Sequence, residues 1–298
     1  MKSFGLLSIA KPVALLSIFF CSIASAEISV IDDSGQRITL SAPATRIVSL
    51  APHATELLFL AGAGQKIVGA SSGSDYPMEA SHILSVGNSL RLDSERITLL
   101  KPDLIVAWSS GNNPRQITRL RQQGYAVFES EPRRFEDIAT TIERMAMLTG
   151  STSGANAAAD FRRSLVLLGD RYRDRTPVTV FYQIWSSPLM TLNGQHLVSQ
   201  ALNLCGAKNI FGGLPQLAPA VSREAVVSAN PDAILISDDS GGFERWVNLA
   251  SLKAARQQNI FKVNGKLLNR PTPRMLAAIA DVCEQMDAVR RRQQPKLP

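Results

Sequence analysis

Gly69-Ala70-Ser71-Ser72-Gly73 has the G-x-S-x-G spacing of a nucleophile elbow, a tight strand-to-helix turn that presents a serine for acyl transfer. The run KIVGAS before it reads as a strand, but Ser74-Asp75-Tyr76-Pro77 follows. A proline there denies the elbow the helix it needs directly behind its serine. His196 stands in chain order for a partner base, yet it opens a helical run far downstream. The motif therefore reads as a loop, and an exported serine hydrolase using Ser71 is only the lesser alternative. His53, His82 and His196 lack the close spacing of zinc motifs, so neither catalysis nor a metal site is expected. His53 differs from the other two in following Ala51-Pro52 at a strand end, where it could face a cleft.

Two carboxylates share a placement that the chain repeats. SERITLLKPDLIVAW, Ser94 to Trp108, is echoed by SREAVVSANPDAILIS, Ser222 to Ser237. In each copy a polar residue opens a short amphipathic run, Pro-Asp ends it, and an apolar β-rich segment follows. That pattern reads as helix, stop and buried strand. Glu95 and Glu224 each lie seven residues before the proline, so each sits in the first turn of its helix. The macrodipole alone favours a carboxylate there by about 0.3–1 kcal/mol, but matched placement in two units points to a paired role.

Composition bounds the rest. At 298 residues, with 45% hydrophobic residues, the chain can bury the cores of two globular domains. The formal charge of +7 includes Lys2 and Lys11, and much of the remaining +5 lies in Arg290, Arg291, Arg292 and Lys296. No basic stripe is interleaved with aromatics elsewhere, so no nucleic-acid partner is expected. Residues 1–26 combine a lysine-bearing start, an apolar run from Val13 to Ile23 and Ala24-Ser25-Ala26, the pattern of a secretory signal peptide cleaved after Ala26. The run is shorter than the ~20 residues a membrane span needs. Lipid attachment at Cys21 is disfavoured by the large Phe20 before it. An exported chain keeps Cys205 and Cys283 in an oxidising compartment, where they either bridge within the second half or remain as two buried thiols.

The elements that position these groups follow a regular order. ISVID and QRITL flank a turn and predict a hairpin. RIVSLA, KIVGAS, LIVAW and YAVFES predict strands alternating with helices over His53–Ala61, Ser94 onward and Asn113–Gln123. From Phe135 to Arg173 only helical periodicity appears, with Gly150 as a break and Ser151 or Thr152 as a cap. VTVFYQIW then resumes a strand. It is followed by a helix from His196 to Cys205, the echo unit, a helix near Trp246–Gln257, short strands NIFKV and KLLN, and a helix from Pro273 to Arg290. The expected fold is α/β, with two Rossmann-like lobes over 27–134 and 175–298 joined by a long rigid α-helical connector over 135–174.

RIVSLAPHATELLFLAGAGQKIVGASSGSDYP, KPDLIVAW, YQIWSSPLMTLNGQHL, LNLCGAKNIF, VSREAVVSANPDAILI and NRPTPR together resemble the cobalamin-binding, helical-backbone substrate-binding proteins of bacterial ABC importers, from about Arg46 to Cys283. The resemblance implies a monomeric periplasmic protein that holds a corrinoid between its lobes, without a cofactor of its own, and hands it to a membrane permease. It casts Glu95 and Glu224 as one acidic docking knob per lobe and Cys205–Cys283 as a disulfide. Trp108 matches a cleft aromatic and Arg270 a basic residue that touches the ligand. Three positions depart from the family: Gly73 replaces a ligand-contacting tyrosine, Ser89 stands near a second cleft tryptophan, and Lys266 takes the place of an acid.

The physical reading agrees on where a ligand would sit. Trp108 and Trp185 each end a predicted strand, and open α/β sheets bind ligands beyond the carboxyl ends of their strands, so the two could face each other across the cleft. A corrin is a broad, mostly apolar disc edged with amides, which suits flat aromatic walls. The expected ligand set is His53, Gly73, Ser89, Trp108, Trp185, Lys266 and Arg270. A ferric siderophore or haem is the alternative ligand. For haem, His53, Tyr76 or Tyr182 could supply the axial bond to iron.

Overall fold

The computed structural model describes residues 27–294, so the expected signal peptide and its cleavage after Ala26 lie outside the described residues, as does Lys296. The described chain opens with the antiparallel hairpin β1 (Ile28–Ile31) and β2 (Arg37–Leu40), turned by Asp32, whose Oδ1 accepts from the backbone N–H of Ser34 and Gln36. Asp33 accepts from Glu131 N–H and pairs with Arg144 at 2.6 Å, fastening the hairpin to the first lobe.

That lobe is a parallel sheet of β3 (Ile47–Ser49), β4 (Ile67–Ala70), β5 (Leu104–Trp108) and β6 (Val127–Ser130), in the order β4-β3-β5-β6. Helices α1 (Pro52–Leu60), α2 (Ser94–Leu100) and α3 (Pro114–Gln122) lie between its strands. The strands are apolar on both faces, as a sheet covered on both sides requires.

The helical stretch that follows divides in two. The helix α4 (Phe135–Thr149) buries Ile138, Ile142 and Met145 in the same core as Ile47 and Leu57 of the first lobe. Gly150 ends it at φ +67, where a Cβ would come within about 3.0 Å of Pro43. Ser151 Oγ then accepts from Ser153 N–H as α5 (Ser153–Tyr172) begins. Its 20 residues make a rod of roughly 30 Å that packs against both α4 and the second lobe.

The second lobe contains β7 (Val178–Gln183), the short hairpin β8 (Trp185–Ser186) and β9 (Leu189–Met190), α6 (Leu197–Leu204), β10 (Ala207–Asn209), α7 (Arg223–Ala229) and β11 (Ala233–Ser237). It continues with α8 (Glu244–Val247), α9 (Lys253–Arg256), β12 (Ile260–Val263), α10 (Gly265–Leu268) and α11 (Met275–Gln293). Its parallel sheet runs β10-β7-β11-β12, which repeats the first with β7 in the place of β3 and β11 in that of β5.

The repeated motif is the hinge of this duplication. The helices α2 and α7 are both seven residues long, capped by Asp93 on Arg96 N–H and by Ser222 on Ala225 N–H, and both end in the left-handed region, at Lys101 (φ 45) and Asn230 (φ 43). The aspartate of each Pro-Asp pair then ties the start of the next strand to its neighbour. Asp103 accepts from Thr45 N–H and Oγ1, and Asp232 from Thr179 N–H and Oγ1. Each motif thus fixes one helix exit and one sheet register.

Two sequence expectations are corrected. KLLN is a helical turn, α10, because Asn264 Oδ1 accepts from Leu267 N–H and caps it; four residues carry too little periodicity to distinguish strand from helix. The helix expected over Trp246–Gln257 is two single turns, α8 and α9. There the buried Trp246 packs on Phe181 and donates to Gln183 Oε1, and these tertiary contacts outweigh helix propensity. The Cys205–Cys283 disulfide forms within the second lobe, between the end of α6 and α11.

Candidate functional site

Trp108 leaves the carboxyl end of β5 half-buried, held from three sides. Its backbone N–H donates to Asn112 Oδ1 at 2.7 Å, and Asn112 Nδ2 donates to the carbonyls of Leu50 and Ser89. One buried amide therefore knits three loops of the first lobe. The indole packs against Gly111, where a Cβ would fall 1.9 Å from the ring. His53 meets it edge-on, with ring centroids 5.6 Å apart at 80°.

His53 itself does not reach the cleft surface, which corrects the expectation that it would contact ligand. It is 3% exposed, and its Nε2 pairs with Ser130 Oγ at 3.2 Å. Burial lowers its pKa to about 4, so it supports Trp108 as a neutral ring. His53 lies in the first turn of α1, where Ser130 at the end of β6 and the Trp108 indole cover it.

Across from Trp108 stand His196, Leu268, Asn269 and Met275 of the second lobe, enclosing a cavity of about 60 Å³ whose rim includes Glu131 and Arg133. Beside this cavity the lobes are joined by a seam that centres on Glu56. This carboxylate, 2% exposed on α1, accepts from Arg270 at 3.2 Å, Arg274 at 3.1 Å and Thr272 Oγ1 at 3.0 Å. Arg270 also pairs with Asp75 at 2.5 Å and donates to the Gly73 carbonyl at 3.3 Å. The guanidinium of Arg274 stacks 3.6 Å from the Tyr76 ring centroid. The Arg270 hydrogen bond and charge hold Asp75 below the usual carboxylate range.

The structure therefore places Arg270 and Gly73 in a lobe–lobe contact. Gly73 sits at φ +88, a conformation a tyrosine would adopt only under strain. Lys266 is exposed and faces Asp75 at 3.5 Å, and Ser89 reaches the site through its carbonyl. Trp185 is 52% exposed, makes no ring contact with Trp108, and donates its indole N–H to Ser187 O. Sequence reasoning missed Glu56, Asn112 and Gly111. A carboxylate inside the otherwise apolar run ATELLFL was the one available signal.

The G-x-S-x-G motif lacks the geometry of a nucleophile elbow. Ser71 is buried among hydroxyls, 3.4 Å from Ser74, and no helix follows it; His196 caps α6 through Nδ1. Of the residues considered for an iron bond, Tyr182 is buried and donates to Asn269 Oδ1 at 2.7 Å, and Tyr76 lies under Arg274. Among the described residues no group of three or more His, Cys, Asp or Glu could hold a metal ion.

Glu95 and Glu224 lie exposed in the first turns of α2 and α7, one on each lobe. The Glu224 carboxyl is lowered by hydrogen bonds from its own backbone N–H and from Ser222, so it is a carboxylate at neutral pH.

Residues 47–266 match the family described as periplasmic binding protein. The chain is 38% identical over 255 residues to the vitamin B12-binding protein of Vibrio parahaemolyticus serotype O3:K6, covering 84% of this chain and 92% of that one. The crystal structure of the periplasmic vitamin B12 binding protein BtuF of Vibrio cholerae superposes with a TM-score of 0.78 at 38% identity, over 85% of this chain and 99% of that one. A periplasmic haem-binding protein, RhuT of Roseiflexus sp. RS-1, shares the fold at a TM-score of 0.74 and 24% identity, over 82% of this chain and 98% of that one.

Proposed function

Because the chain belongs to the periplasmic binding protein family, we propose that it captures cobalamin or a related corrinoid in the inter-lobe cleft and delivers it to an ABC importer. The observation that carries this reading is the 38% identity to a vitamin B12-binding protein across 92% of that protein's length. The cleft supports it. Trp108 offers a flat wall facing Leu268 and Met275, which suits a broad apolar ligand.

The free space of about 60 Å³ is far below the roughly 300–1,000 Å³ of pockets that enclose small ligands. A corrinoid must then rest across the mouth of the cleft or part the lobes at the Glu56 seam. The rod α5 and the seam together limit that movement to a modest opening. Lys266 stands where the family has an acid, and Asp75 offsets it.

The leader directs export and is cleaved after Ala26, and the mature protein works as a monomer that docks on the permease through Glu95 and Glu224. Rim charges of this kind act mainly on orientation and on-rate. The test is cobalamin uptake by proteoliposomes containing the importer. The double variant Glu95→Ala, Glu224→Ala is expected to lower the uptake rate by about tenfold, with ligand affinity unchanged. Uptake at the wild-type rate would refute the docking roles, and uptake that does not depend on the protein at all would refute delivery.

A further inference from the structure

We infer that His196 is a specificity residue of the cleft, donating its Nε2–H to an uncharged carbonyl oxygen on the rim of the ligand. This deepens the corrinoid reading and rests on it. His196 caps α6, with Nδ1 accepting from Val198 N–H at 3.1 Å. A backbone N–H can only donate, so Nδ1 must carry a lone pair, and the proton of the neutral ring belongs to Nε2. The same ring lines the cavity opposite Trp108, on the wall formed by Leu268 and Met275.

The cap thus fixes the tautomer and aims a single neutral donor at whatever occupies the cleft. Burial keeps the ring uncharged, with a pKa of about 4. Glu131 and Arg133 are the charged residues that line the same cavity, and burial alone accounts for the lowered pKa of the ring. A neutral donor with its other nitrogen engaged discriminates by chemistry. It satisfies an amide carbonyl, it offers no lone pair to iron, and it gives less to a carboxylate than a cationic residue would. Among the ligands considered, the amide-edged corrin matches it best.

The test separates the cap from the donor. Serine and threonine are good N-caps, so His196→Ser and His196→Thr keep α6 capped while removing the N–H from the cleft. Cyanocobalamin is titrated against wild type and both variants, with melting temperature measured in parallel. The expected result is about tenfold weaker binding for the two variants at unchanged melting temperature. Wild-type affinity should also be flat from about pH 5 to 8, because the ring stays neutral there. Equal affinities for wild type and variants, or wild-type affinity that changes as His196 would titrate near its ordinary pKa, would overturn the assignment and leave corrinoid binding standing. No cyanocobalamin binding by the wild type would overturn both.

Discussion

Replacing Cys205 and Cys283 together by alanine is expected to lower the unfolding free energy of the second lobe by about 4.5 kcal/mol. The bridge spans a sequence separation of 78 residues, and closing a loop of that length restricts the unfolded chain far more than the folded one. Both cysteines are fully buried, and the bond ties the end of α6 to the middle of α11, elements that are also joined by the Arg290 guanidinium donating to the Cys205 carbonyl at 2.6 Å. Urea unfolding measures the effect as a fall in the midpoint with a steeper slope, because the unfolded chain without the bond is less compact and exposes more surface. The loop contains β10, α7, β11 and β12, so the first lobe should be much less affected. A change below about 1 kcal/mol would show that the unfolded chain is already constrained without the bond.

Glu56→Ala is expected to cost about 3 kcal/mol and to loosen the lobe–lobe seam. Removing one partner of a buried pair costs roughly 3–5 kcal/mol because the opposing charge is left without compensation. The lower end applies here because Arg270 and Arg274 keep side-chain exposures of 18% and 32%, and Arg270 retains Asp75. Thr272 Oγ1, 1% exposed at the residue level, loses its acceptor outright. Thermal unfolding reads the stability, and hydrogen exchange in 270–275 and 73–77 reads the seam. Faster exchange confined to those segments is the expected pattern. Unchanged exchange there would mean that α5 and the packing around it hold the lobes without Glu56.

The fold was legible where the signal is local and repeated. DSERITLLKPD and SREAVVSANPD each contain a cap, a seven-residue helix and a Pro-Asp stop, so one copy corroborates the other, and the duplicated sheets follow. The cysteine pair was legible from compartment and spacing together with the family likeness, and the disulfide is present. KLLN and the region after Trp246 were misread because their conformation is set by an asparagine cap and by contacts with Phe181 and Gln183, distant in the chain.

The site was harder to read because its parts act through partners the sequence does not display. His53 follows a proline at a strand end and looks exposed, yet it is buried edge-on against Trp108. Glu56 resembles an ordinary helical glutamate until Arg270 and Arg274, over two hundred residues away, converge on it. Asn112 and Gly111 lie in a loop whose composition gives no hint that they position the indole. The position of Trp108 was legible because LIVAW reads as a strand, and the residue does end β5 beside the cavity.

The central claim, that the cleft beside Trp108 takes a corrinoid, is tested most directly by titrating the purified chain with cyanocobalamin while following tryptophan fluorescence, with haemin and a ferric siderophore as comparators. The predicted result is saturable one-to-one quenching by cyanocobalamin at or below micromolar concentration, greatly weakened by Trp108→Ala, and no comparable response to either comparator. Absence of binding to cyanocobalamin at micromolar concentration, or tighter binding of haemin, would contradict it.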